Sequence, residues 1–461
     1  MKQRTIRLAA TGTRVAAGAV VAVACALGVA GAVAAPFPEI RTAPATTTVR
    51  PVPSDAVLVC NGSFRVLGRD ATQAGLMVSA ATMRLRVDGD TEGTKSDPIE
   101  APDALGASGT QVIVGAVKDR KVPLFSATES VQLSEEDASG FAAAPCREPS
   151  LSSWLVGGDV SIGASDIILL TNPGAVTATV DLDVYGDKRS ASTVVVPAGT
   201  QLGVPLASVA AGSRTPVVHV SSSGAAVRAS LQSTLVRTLD AVGIDLQDGL
   251  SGAQTSQLLL GVRSAPATVG DDTTGVVVRM LAPDHDAKTT VRVRAAGSAA
   301  AVDEYPVDLV AGTPAEVSLA GLKEGSYDIE ISSTEPIVAA AQQTARAGDQ
   351  QDIAWSLPSP ELASGDLTMF SVPDGAPATL YLHNAESEPV TVALGGADER
   401  TVQLKPGGST AVTVDAGAYT LEPSGRVNAA IGMLGANGSA AIASWPLWAG
   451  AATQQPIVVR P

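Results

Sequence analysis

Apolar and polar residues alternate with a period of two along most of this chain. Leu182 and Val184 alternate with Asp181 and Asp183, and Val291 and Val293 alternate with Arg292 and Arg294. That period, with one charged side, predicts strands that bury one face and wet the other. The pattern also repeats at long range. A leucine (Leu170, Leu281, Leu380) is followed ten residues later by a valine that opens an alternating strand (Val180, Val291, Val390). A glycine turn follows at Gly199, Gly312 and Gly407, and then the inward-type pairs Val204 and Leu206, Val317 and Leu319, Val412 and Val414. Each copy closes on a Val-x-Ala strand, at Val227 and Ala229, Val338 and Ala340, and Val427 and Ala429. Matching offsets in three copies mark tandem repeats of one unit.

The turn glycines are 113 and 95 residues apart. Solenoid and propeller repeats run to about 20–50 residues, so each copy is large enough to hold its own core. Turn signals such as Asn172-Pro173-Gly174, Pro197-Ala198-Gly199 and Pro406-Gly407-Gly408 separate short strands, with no long helical period between them. The fold class expected is all-β, with tandem immunoglobulin-like β-sandwich domains spanning 151–240, 258–346 and 352–448. A barrel of similar size is the alternative. Residues 56–150 carry only a faint version of the pattern and read as a fourth β domain, and 449–461 reads as a tail.

Composition fits several small aliphatic cores: 461 residues with 45 Gly, 29 Pro, 3% aromatic and 17% charged residues. The N-terminus bears on where they reside. Lys2, Arg4, Arg7 and Arg14 fall in a tail of residues 1–14, ahead of an uncharged run over 15–38. About 20 apolar residues as a helix cross a membrane, and the flanking positive charges place the tail in the cytoplasm. The rival reading is a cleaved signal sequence, since Ala30-Gly31-Ala32 has the small-x-small form. Both predict an N-terminal helix and an exported chain, either anchored by one span with an extracytoplasmic C-terminal region or secreted. Thr/Pro-rich residues 39–55 read as an extended, unpaired spacer. The net charge is −15 although the first 14 residues carry +4, so the remainder carries −19. Such a surface repels nucleic acid, which is not an expected partner.

Cys25 lies in the apolar run, leaving Cys60 and Cys146. In an exported chain an isolated pair reads as a disulfide, here closing 86 residues; two unpaired buried thiols are the alternative. Catalytic constellations are scarce. The three histidines, His219, His285 and His383, fall one to a repeat, which excludes a His-based triad or a multi-histidine zinc site within one copy. No G-x-S-x-G elbow, Walker loop or H-E-x-x-H helix is present. Paired carboxylates in a solvent-filled cleft would revive a hydrolase. Asp88-Gly89-Asp90-Thr91-Glu92-Gly93 begins like a calcium loop, but position 12 is Ile99, so a hairpin turn is favoured. Asp284-His285-Asp286 reads as a polar loop tip. Trp154, Trp355, Trp445 and Trp448 read as core or junction packing rather than sugar platforms.

The stretches Trp154-Leu-Val-Gly157-Gly158, Leu170-Thr-Asn172-Pro173-Gly174, Val184-Tyr185-Gly186 and Val196-Pro197-Ala198-Gly199-Thr200 resemble an uncharacterised family of membrane-anchored or secreted proteins from high-GC Gram-positive bacteria, classed as a domain of unknown function. The likeness runs from about Val49 to Trp448 and departs at Cys60-Asn61-Gly62, where Cys-Pro-Gly is expected. It implies an envelope location and no established activity. The expectation is therefore a non-catalytic envelope protein without cofactor or metal: a rod of sandwich domains contacting an envelope protein or a wall polymer. Alternatives are an accessory ectodomain of a membrane glycosyltransferase or other envelope enzyme, and wall-polysaccharide binding.

Overall fold

The computed structural model describes residues 16–30, 47–49, 54–68, 76–107, 110–135, 137–238, 240–265, 275–298, 300–450 and 457–459, and regular structure among them is nearly all strand. Residues Met1–Pro51 and Gln455–Pro461 form one unit and Val52–Gln454 the other. In the smaller unit, residues 16–30 are helical. Among the described residues no helix is long and apolar enough to cross a membrane. The tail 1–14 and residues 31–46 lie outside the described residues. The expected spacer is not wholly unpaired: Thr47–Val49 pairs antiparallel with Ile457–Val459.

In the larger unit the three copies share one strand order. The first copy has one sheet of Ser152–Leu155, Val217–Ser223, Ala178–Tyr185 and Ser190–Val196, the first, sixth, third and fourth strands in that spatial order. Its second sheet holds the fifth, second, seventh and eighth strands: Thr200–Pro205, Ile167–Asn172, Arg228–Arg237 and Asp240–Asp248. The third copy repeats this with Thr368–Val372, Gly417–Pro423, Val390–Gly396 and Arg400–Leu404, against Ser409–Val414, Ala378–Asn384, Val427–Leu434 and Ile442–Pro446. In the second copy a single strand, Gly325–Ala347, serves as both sixth and seventh, passing from a sheet with Gln254–Ser264 and Ala287–Ala295 to one with Val277–Leu281 and Gln350–Ser356. The order is not that of an immunoglobulin domain, where the first strand lies beside the second and the seventh beside the sixth. Here the sixth strand runs onward into the opposite sheet instead of turning back as a hairpin.

Val180, Val291 and Val390 each enter the core of their own copy, and Gly199, Gly312 and Gly407 all turn with positive φ between the fourth and fifth strands. The repeated leucine does not hold. Leu170 and Leu380 face their own cores, whereas Leu281, Val338 and Ala340 face outward into a cluster with Trp154, Tyr185, Val217 and Trp355. The core of the second copy takes their neighbours Met280, Ala339 and Ala341. A one-residue shift flips every side chain to the other face, and this sheet buries both faces, so alternation alone did not mark the inner one. Trp154 and Trp355 thus pack at the junction of the first two copies, and Trp445 lies in the third core.

Residues 56–150 form three three-stranded sheets that share cores with the copies. Phe64, Val131 and Ala142 pack with Ile244 and Leu246 of the first copy, while Phe141 and Ala143 enter the core of the third. The copies are therefore not joined only in series. Four strands, Ala138–Pro145 and the three eighth strands, meet at the buried carboxylate of Asp352. Its Oδ2 accepts the amide hydrogens of Phe141 (2.7 Å) and Ile442 (3.2 Å), and its Oδ1 those of Ile244 (3.1 Å) and Ile353 (3.0 Å). Cβ atoms on Gly140 and Gly243 would lie 2.3 and 2.7 Å from Oδ1, so both neighbouring backbones need glycine to approach this closely.

Candidate functional site

Cys60 and Cys146 are disulfide-bonded, with both residues buried. Their backbones are held by the bonds between Val59 and Arg147, at 2.8 and 3.0 Å. Arg228 of the first copy reaches across to donate to the carbonyls of Val59 (2.7 Å) and Pro145 (2.9 Å), next to the two cysteines, and pairs with Asp248 at 2.6 Å. The buried Glu129 carboxylate lies within 4.8 Å of both sulfurs, a metal-like grouping, but sulfurs bonded to each other are not thiolate ligands. The backbone N–H groups of Asn61 (2.5 Å) and Gly62 (3.1 Å) donate to Glu129 instead. Burial raises the pKa of Glu129, and these amides together with Arg228 oppose the shift. The proline that the family resemblance led one to expect at position 61 would have no N–H to give.

The same economy governs other buried acids. Asp166 accepts the amides of Asp159 (2.7 Å) and Thr234 (3.2 Å), and Asp245 accepts that of Trp355 (2.7 Å). Burial pushes both carboxyls up to about 7 against these bonds. Perturbed acids ordinarily flag chemistry, yet here each tethers backbone between elements. The acidic turns behave similarly. Asp88 pairs with Arg86 at 2.5 Å, Asp90 accepts the Leu124 amide at 3.1 Å, and Asp286 accepts that of Ala311 at 2.8 Å.

A larger opening lies between the second and third copies, a cleft of about 660 Å³ lined mostly by polar groups. Its walls come from the first, third and sixth strands of the second copy, the 359–361 link, and the second and seventh strands of the third. Arg294 pairs with Glu330 at 2.6 Å, and Glu361 with Arg426 at 3.2 Å. Each lining glutamate is engaged by an arginine. His383 sits in the wall with Nδ1 3.0 Å from Ser409 Oγ; burial and Arg294 lower its pKa while Glu330 opposes. Beside the cleft the two copies lock together: Leu258, Leu260, Ala430 and Tyr381 form a small core, and the Tyr381 hydroxyl donates to Ser326 at 3.1 Å.

The family model for a family of unknown function (DUF5719) matches residues 103–418. The chain belongs to this family. No curated protein and no solved structure matches it. The matched span contains the cleft residues from Gln254 to Gly407, while Cys60 and Asn428 lie beyond it.

Of the residues the sequence brought forward, His383 lines this cleft together with Arg294, read as the polar side of a strand, and Gly407, read as a turn. His219 stacks on Trp154 at 4.4 Å in the first copy, and His285 sits in the turn between the second and third strands of the second copy. Gln257, Glu330 and Ser359 were not singled out, and Arg294 was read only as the wet face of a strand. The available signal was local: Gln257 and Asn428 interrupt buried strand positions where an apolar residue is expected.

Proposed function

We propose that this protein is a non-catalytic, exported component of the cell envelope that presents a β assembly with a polar cleft to another envelope component. The disulfide carries this reading. A buried Cys60–Cys146 bond beside Arg228 and Glu129 needs an oxidising compartment to form. The positively charged start and the apolar run supply the route out, through a membrane anchor at residues 15–35 or a cleaved signal. The non-catalytic part is supported by the fate of the buried acids, which are occupied by backbone amides, and by the arginine-held glutamates in the cleft. Tandem β-sandwich repeats suit a role in contact and spacing against an envelope protein or wall polymer.

Two measurements test it on the full-length chain in its native membrane. Alkylation without reductant is expected to leave Cys60 and Cys146 unlabelled; modification of either one defeats the export argument. Carbonate washing is expected to leave the chain in the membrane fraction with its N-terminus intact, and a mature N-terminus near Val33 or Ala35 replaces the anchor with secretion.

A further inference from the structure

In all three copies the fourth strand lies at the edge of its sheet, but the copies treat that edge differently. An edge strand offers unpaired N–H and C=O groups from alternate residues, and proteins ordinarily guard it with charge or proline against pairing with another chain. The fourth strand of the second copy, Ala301–Leu309, carries Asp303, Glu304, Pro306 and Asp308. That of the third, Arg400–Leu404, carries Arg400 and is followed by Lys405. The uncharged fifth strand of the third copy, Ser409–Val414, is guarded by the same Arg400, which donates to the Thr413 carbonyl. The fourth strand of the first copy, Ser190–Val196, has neither charge nor proline and ends in three valines. Its outer row is open to solvent: Ala191, Thr193 and Val195 are exposed, Val195 by 58%. Among the described residues only Ala178–Tyr185 pairs with it.

Charge at the two ends of this edge selects the occupant. The turn before Ser190 carries Lys188 and Arg189, and its one acid, Asp187, is paired with Arg214 at 3.3 Å. At the far end, beyond Val196, Glu100 is exposed and held beside the turn: its N–H donates to the Gly199 carbonyl (3.3 Å), and its carbonyl accepts from the Gln201 N–H (2.8 Å). The edge is thus basic at one end, acidic at the other and neutral between. A second identical edge laid antiparallel about a two-fold axis brings basic end to acidic end twice, whereas a parallel one opposes like with like. With the axis at Thr193, the middle of the strand, Ser190 of one molecule faces Val196 of the other and the whole edge is used.

We propose that Ser190–Val196 is a self-pairing edge, through which two molecules of this chain join their four-stranded first-copy sheets into one continuous sheet. Backbone hydrogen bonds supply the affinity and the terminal charges fix the register, with Val195 of each molecule beside Ala191 of the other. The interface does not depend on whether the chain is exported.

Cross-linking tests the register. In a Cys25→Ala background, Thr193→Cys in native membranes is expected to form a disulfide dimer under mild oxidant. Residues directly opposite across antiparallel strands have Cα atoms about 4.5–5.5 Å apart, within disulfide reach. Val302→Cys, exposed on the guarded edge of the second copy, is the comparison and is expected to stay monomeric. Sedimentation of the full-length chain in non-ionic detergent tests the surface. A dimer is expected at about 100 μM, above the roughly micromolar affinity of a small interface. Thr193→Lys, which sets two like charges opposite each other, is expected to weaken it about tenfold or more. Thr193 donates to Asp181 of its own neighbouring strand at 2.6 Å, so the lysine keeps a cross-strand partner and the Tm is expected to hold within about 2 °C. A monomeric unmodified chain, a dimer that Thr193→Lys leaves intact, or Thr193→Cys that links no better than Val302→Cys overturns the proposal. An adduct of Thr193→Cys with a different protein overturns the second molecule as the occupant.

Discussion

Asp352 illustrates how one residue can hold several elements. Its carboxylate accepts amide hydrogens from residues 56–150, from the first and third copies, and from its own strand. Replacing it by alanine leaves those amides without their acceptor and opens a cavity in the junction. The expected loss is about 3–5 kcal/mol, read by denaturant unfolding of the Asp352→Ala variant; a loss below about 1 kcal/mol would mean that water substitutes at little cost. The buried acids also set a pH dependence. Asp166 and Asp245 have folded pKa values of about 7, above the roughly 4 of an unfolded aspartate. Between those values the native state holds more protons than the unfolded one, so their contribution to stability falls as pH rises from about 4 to 7. His219 and His383, lowered by burial, act in the opposite direction around their ordinary range. A difference measurement isolates the acid. The Tm of Asp245→Asn relative to the unmodified protein is expected to improve from pH 5 to pH 8, and a constant difference would contradict the assignment.

At the scale of elements, the first strand of the second copy, Gln254–Ser264, is broken by a register shift between Leu259 and Val262. Gly261 occupies the break at φ +69°, and its amide donates to Asp328 at 3.1 Å. An added Cβ would stand 2.3 Å from the Tyr381 ring of the third copy. Gly261→Ala therefore meets both a left-handed backbone and a clash, and is expected to cost about 1–3 kcal/mol in chemical denaturation. Tyr381→Leu in the same background should recover part of that loss, since it removes the ring. Turns repeat where their chemistry repeats. Asn172 and Asn384, both buried, end the second strand of their copies and donate across to the turn before the fifth: Asn172 to Val196 at 3.0 Å, Asn384 to Lys405 at 3.0 Å. The second copy has Ala-Pro there, and its Gly312 amide reaches the Ala282 carbonyl at 2.8 Å instead.

For the molecule as a whole, shared cores and buried polar ties join residues 56–150 to all three copies. Calorimetry is expected to give one unfolding transition for Val52–Gln454 rather than one per copy; separable transitions would show the ties to be weak. Breaking the disulfide with Cys60→Ala and Cys146→Ala removes an 86-residue closure, worth at most about 4–5 kcal/mol in the chain-entropy model. The strand that ends at Pro145 carries Phe141 to the Asp352 junction, so the whole transition should move to lower temperature.

The sequence by itself determined the strands, the three copies and the glycine turns, because period two and positive-φ turns are properties of a few neighbouring residues. Val180, Val291 and Val390 were legible as core positions for that reason, and the two cysteines as a pair through their isolation. Tertiary structure alone decided the rest. It placed Leu281 outward, because a sheet buried on both faces offers alternation no water to point away from. It gave Asp352, Gln257 and Ser359 their surroundings, since each meets groups distant in sequence and a lone polar residue in a strand looks the same whether it tethers backbone or lines a cleft. The sixth strand's passage between sheets was likewise hidden, because strand pairing depends on which backbones meet, and side-chain patterning records only which faces are buried.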